Sequence, residues 1–289
     1  MSPPSHPSGP LYLSRLVFDP RSRFVGQHLK NPRLMYAKLL EAFTDGELLH
    51  HSPGRSDENG RQAGGMLFRV EPEPDRHSRG MVVLVQSAAQ PDWSRLDERL
   101  FALNPEPAKA FQVNVPAGAA LRFRLRACPV RSIPAMPRSP DGARERGKRQ
   151  PVFAPILTEA ATAQKSREAS AAETRAKTLR VEQACAQWLA DVLKRRGAAE
   201  ILSHQEDRWD SFAFGDDLPP IYDMQIIRER PIVLNDYGSQ FHRGKGDLHP
   251  VLFEGKLTVT DPHQLALLLR QGVGPGKAFG CGLLSLARA

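Results

Sequence analysis

Residues 121–127 read LRFRLRA. Leu121, Phe123 and Leu125 alternate with Arg122, Arg124 and Arg126, the period-two pattern of a strand with one face in a core and three guanidinium groups on the other. Its place in the chain decides the fold, because one complete run of elements precedes it and the same run starts again with it.

The earlier run opens with LYLSRLVF at 11–18, rich in strand formers and broken by Asp19-Pro20. A loop is expected next. Asn31 then caps a helix that Pro32 opens, NPRLMYAKLLEAF, with Leu34, Met35, Leu39 and Phe43 supplying a mostly apolar face. Residues 50–65 have loop composition, and the segments GMLFRVE from Gly65 and GMVVLVQS from Gly80 read as two strands. A second helix is expected over 93–103, stopped by Asn104-Pro105, and a short strand over 111–115. Strand, helix, strand, strand, helix, strand is the ferredoxin-like pattern.

Downstream of LRFRLRA, residues 129–157 read as a long basic, Pro-rich loop, and 160–196 as a helix ended by Gly197. Strands are expected at 199–203, within IYDMQIIRE, at VLFEGKLTVT from Val251 and at the closing LLSLA. Asp261-Pro262 starts the helix HQLALLLR between the last two. The expectation is therefore an α+β chain of tandem ferredoxin-like domains, 11–117 and 118–289, after a disordered leader at 1–10.

Composition narrows the partner. The chain of 289 residues carries 40 Lys and Arg against 32 Asp and Glu, a formal charge of +8, which favours a polyanion such as nucleic acid. Basic residues cluster at Arg122, Arg124 and Arg126, at Arg144, Arg146, Lys148 and Arg149, and at Lys194, Arg195 and Arg196. Each alone reads as a solvated face; several in one domain suit phosphate neutralisation. Three scattered cysteines argue against a disulfide framework or zinc site and fit a reducing cytoplasm. No apolar run reaches the roughly 18 residues that a membrane span needs. HExxH, CxxC and GxSxG patterns are absent, so no metal or cofactor is expected.

The segment GVGPGKAFGCG at 272–282 packs five glycines around Lys277. Gln271 and Ala278 stand where a Walker loop needs glycine and Ser or Thr. A tight turn with positive φ angles and a phosphate cradle formed by Gly274, Gly276 and Lys277 are both open readings.

The string GVGPGKAFGCGLLSLA resembles the glycine-rich signature of the CasE family of CRISPR endoribonucleases, a branch of the RAMP superfamily. LYLSRLVFDPRSR, VVLVQSAAQPDWSRLD from Val82, LRFRLRACPVR, GKR at Gly147 and VLFEGKLTVTDP resemble the family's segments in the same order. The resemblance implies tandem ferredoxin-like domains that bind the stem-loop of CRISPR repeat RNA and cut at its 3′ base without metal, leaving a 2′,3′-cyclic phosphate. It further implies retention of the crRNA and association with the other subunits of a type I-E Cascade. The family's Tyr-x-x-His motif falls on Arg33 and Tyr36, so both positions are substituted.

Histidine suits proton transfer near neutrality, whereas a tyrosine with a pKa of about 10 is ionised at roughly one part in a thousand at pH 7. Arg33, one turn earlier, shares the face of Tyr36 and can clamp a phosphate. His28, expected in the loop before this helix, reads as a relocated base or as a surface histidine. The catalytic candidates are Tyr36, Arg33 and His28; the RNA contacts expected are the basic strand, the basic loop and the glycine-rich turn.

Overall fold

The computed structural model describes residues 9–43, 65–133, 148–163, 170–204, 220–233 and 247–289. In the first half, β1 (Leu11–Phe18) is followed by α1 (Arg23–Lys30), α2 (Pro32–Leu40), β2 (Leu67–Val70), β3 (Met81–Ser87), β4 (Phe101–Leu103) and β5 (Lys109–Phe111). The strands form one antiparallel sheet in the order β2-β3-β1-β4, with Leu16 opposite Val83 and Phe68 opposite Val85. Both β4 and β5 pair with β1, at its two ends, so together they form the fourth ferredoxin strand. Leu16, Phe18, Met35, Leu39, Phe68 and Val83 fill the core between this sheet and the helices. Each buried side chain of this size stabilises by about 2 kcal/mol.

The second half runs β6 (Ala120–Ala127), β7 (Val130–Ile133), β8 (Lys148–Pro151), α3 (Ala154–Ala163), α4 (Ala171–Arg196), β9 (Ala199–Ile201), β10 (Ser203–His204), β11 (Ile221–Tyr222), β12 (Met224–Arg228), β13 (Val251–Val259), α5 (Pro262–Gln271) and β14 (Leu284–Arg288). Its main sheet has the order β12-β13-β6-β14, with β9 also on β13. LRFRLRA is thus a central strand, flanked by β13 and β14. Leu125, Leu189, Leu193, Phe253, Leu257 and Leu265 form the core beneath it. The architecture is that of two ferredoxin-like domains. Among the described residues no helix is long and apolar enough to cross a membrane.

Several expectations are corrected. The helix expected over 93–103 is two 3-10 turns, Trp93–Arg95 and Glu98–Leu100, followed by β4. Asp92 and Asp97 are the cause: each side chain accepts from the amide two residues on, and Asp97 has an extended backbone (ψ 120°) that interrupts a helix. Trp93, Leu96 and Leu100 still reach the core. The last strand of this half is centred at 109–111 rather than 111–115.

The loop expected over 129–157 holds the β7–β8 hairpin and the start of α3, so Lys148 and Arg149 lie on a strand. The single helix expected over 160–196 is two; Ser170 and Glu173 form a reciprocal capping box that starts α4 afresh. His28 lies inside α1, where a loop was expected. Other signals read as expected. Asn31 caps α2, Asp261 caps α5, and Gly197 ends α4 in the left-handed conformation. The leader expected at 1–10 falls almost wholly outside the described residues.

The two sheets meet through a buried arginine. Arg69 of β2, 2% exposed, donates to the carbonyls of Arg124 (3.0 Å) and Leu283 (3.1 Å) and to Ser285 Oγ (3.0 Å). Its Nε and Nη2 also bond Glu71 (2.9 and 2.7 Å), whose second oxygen accepts from Arg124 (2.6 Å). Gln86 adds a bond to the Leu269 carbonyl at 2.7 Å. These bonds set the two halves in register and bring α2 against the glycine-rich segment.

Candidate nucleic-acid interface

The first turn of α2 is fixed by Asn31, whose Oδ1 accepts from the amides of Arg33 (3.1 Å) and Leu34 (3.2 Å). Arg33 and Tyr36, three residues apart, therefore share one side of the helix. The helix packs against the 3-10 turn Lys277–Phe279 of the glycine-rich segment. Tyr36 is half-buried, with its ring centroid 6.1 Å from that of the fully buried Phe68. Burial raises the Tyr36 hydroxyl above its ordinary pKa, because the phenolate would lose water without gaining a partner charge. At neutral pH the side chain is a proton donor, not a base.

All five glycines of 272–282 have positive φ. Gly280 shows the requirement most clearly: at φ 76°, an added Cβ would stand 3.3 Å from both Arg126 Nη1 and the Phe68 ring. The segment is a tight turn pressed between two domains. Lys277 is half-buried in it, and its pKa is lowered, first by burial and then by nearby Arg196. Gly274 and Gly276 line the same turn, Gly274 against the Trp188 indole and Gly276 against Cys128. Cys128, Cys185 and Cys281 are buried free thiols. Among the described residues no cluster of His, Cys, Asp or Glu is arranged to hold a metal.

The three arginines of β6 have different surroundings. Arg122 is exposed and has no ion-pair partner among the described residues. Arg124 pairs with Glu71 and Glu254, and Arg126 with Glu229. Arg122 and Arg124 face an open groove of about 1270 Å³ between the sheets, which Arg15, Arg76 and Lys256 also line. Arg149 is exposed on the separate β7–β8 hairpin. Arg144 and Arg146 lie outside the described residues, as do the side chains of Lys148 and His28.

The structure thus packs α2, which carries Arg33 and Tyr36, against the turn carrying Gly274, Gly276 and Lys277; Arg126 reaches that turn from β6, whereas Arg122 and Arg124 face the groove and Arg149 lies on the separate hairpin. Sequence reasoning missed Arg69, Glu71 and Glu229. An arginine inside the apolar strand MLFRVE, with a glutamate two residues on, was the available signal for a buried pair.

The family described as CRISPR associated protein matches residues 11–288. The CRISPR-associated endoribonuclease Cse3 of Thermus thermophilus is 31% identical over 281 residues, covering 96% of this chain and all of that protein. A solved structure of Thermus thermophilus Cse3 bound to an RNA representing a pre-cleavage complex superposes with a TM-score of 0.60, at 29% identity, over 96% of this chain and 99% of the other. The CRISPR system Cascade subunit CasE of Escherichia coli K12 is 43% identical over 67 residues, 23% of this chain and 31% of that protein. With both sheets, the glycine-rich turn and nearly the whole chain accounted for in this way, the protein belongs to the Cse3/CasE family of CRISPR-associated endoribonucleases.

Proposed function

We propose that the protein binds the stem-loop of CRISPR repeat RNA, cuts at the 3′ base of the stem without metal, and keeps the product bound among the other subunits of a type I-E Cascade. The observation that carries this reading is the packing of α2, the helix that bears Arg33 and Tyr36, against the glycine-rich turn. Scission by an internal 2′-hydroxyl needs a base for that hydroxyl, charge stabilisation at the phosphorane and an acid for the 5′-oxygen. Arg33 and the start of α2 supply positive charge for the phosphate. Tyr36, kept protonated by burial, supplies the proton for the 5′-oxygen. The base is His28 or water, and cleavage is slow. The burial of Tyr36 also favours a second reading, a subunit that holds the hairpin and cuts it scarcely at all.

Direct competition between a repeat hairpin and a scrambled linear RNA of the same length tests the binding half. The hairpin should win, and its affinity should fall steeply with salt. Equal affinity would remove the hairpin from the account.

The β7–β8 hairpin and its connecting segment carry the stem contacts in this reading, since a basic arm can follow the phosphates of an RNA groove. Replacing Arg144, Arg146, Lys148 and Arg149 together with alanine should weaken binding and make its salt dependence shallower. The two measured together separate a phosphate-tracking arm from a solvated one, for which neither would change.

A further inference from the structure

Arg126 reaches from β6 to the underside of the glycine-rich turn. Its Nη1 donates to the carbonyls of Phe279 (2.8 Å) and Gly280 (3.2 Å), while Nε and Nη2 form a fork on Glu229 (2.9 and 2.7 Å). The side chain is 15% exposed, too enclosed to lie along an RNA backbone. Glu229 is fixed in turn, its amide donating to the Pro250 carbonyl at 3.0 Å. Gly280 also abuts Phe68, and Phe68 abuts Tyr36. An unbroken line of contacts therefore runs from Glu229 through Arg126, the turn and Phe68 to Tyr36.

The physical need for such a clamp is clear. A turn built on glycines has little conformational preference of its own. Its carbonyls at 279 and 280 point back into the domain and require donors. A guanidinium meets both with one planar group, and a carboxylate on its other edge orients that plane and compensates its charge.

Resting on the reading above, we propose that Arg126, oriented by Glu229, is a positioning residue of the RNA site: it fixes the glycine-rich turn against α2, and so the place of the scissile phosphate beside Arg33 and Tyr36, without touching RNA itself.

Full-length wild type, Arg126→Lys, Glu229→Gln and the double variant are compared on a labelled repeat hairpin. Affinity and salt slope should stay within about twofold of wild type, because no phosphate contact is lost. The single-turnover rate at saturating protein should fall about tenfold or more in each single variant, and the double should be no worse than the weaker single, as expected of two groups acting as one unit. Hydrogen exchange supplies a second readout: amides of 272–282, protected by hairpin binding in wild type, should lose that protection in the variants.

Weakened affinity with a salt slope shallower by about one in an Arg126→Gln variant, which removes the charge, would make Arg126 a phosphate ligand and overturn the inference. Unchanged rates together with retained protection would also overturn it. A wild type that protects the turn but yields no product defeats the cleavage reading alone, and exchange in the variants then decides the inference. A wild type that does not bind the hairpin defeats both.

Discussion

Replacing Tyr36 with histidine is expected to raise the single-turnover rate of hairpin cleavage about a hundredfold, the usual contribution of a well-placed general acid or base. In the proposed reading Tyr36 stands at the proton-transfer position with a pKa well above neutrality, and burial against Phe68 moves it further up. A histidine there would titrate somewhat below its ordinary value of about 6.5, because the same burial disfavours its charged form. In the donor role assigned to Tyr36 it would hold the rate at a plateau below that value and lose it as pH rises through it, whereas the wild-type rate should show no step from Tyr36 in the same interval. Tyr36→Phe separates the roles further: a rate loss assigns proton donation to the hydroxyl. Rates for these variants and for His28→Ala, followed across about pH 5 to 9, check the assignment. A wild type already fast, with Tyr36→His no faster and His28→Ala inactive, would move proton transfer to His28.

Arg69→Met should cost stability on a scale no surface arginine approaches. The side chain makes five hydrogen bonds at the seam between the sheets. Burial lowers its pKa, and Glu71 opposes the shift, compensating the buried charge. Methionine fills most of the volume but removes the donor that the carbonyls of Arg124 and Leu283 share and leaves Glu71 with Arg124 alone. Breaking a buried pair in this way costs about 3 kcal/mol or more. Arg122→Met, on the exposed face of β6, should lie within about 0.5 kcal/mol of wild type. Denaturant unfolding measures both, and an Arg69→Met midpoint matching that of Arg122→Met would show that the seam contributes little.

The contrast between these arginines explains what could be read before the structure. Alternation in LRFRLRA marks β6, and the strand-former content of LYLSRLVF and VLFEGKLTVT marks β1 and β13, because these signals lie in consecutive residues. Asn31, Asp261 and Gly197 mark helix ends for the same local reason. Period two also puts Arg122, Arg124 and Arg126 on one face. Which of them is engaged depends on Glu71, Glu229 and Glu254, which are distant in sequence, and no local pattern carries that information.

The missed turns at Asp92 and Asp97 are a case of side chains outbidding helix propensity over a segment whose apolar spacing suits either state. Likewise, the resemblance alone put the family's Tyr-x-x-His motif on Arg33 and Tyr36, and the burial of Tyr36 was not legible in it.

The most direct test of the central claim is the product itself. Wild-type protein is incubated in EDTA with a repeat hairpin labelled at its 5′ end, and the fragments are sized and weighed. The account predicts slow cutting at a single site at the 3′ base of the stem, an end carrying a 2′,3′-cyclic phosphate or its hydrolysed form, and the same rate with or without EDTA. Cutting that needs a divalent cation, or that leaves a 3′-hydroxyl, would contradict it.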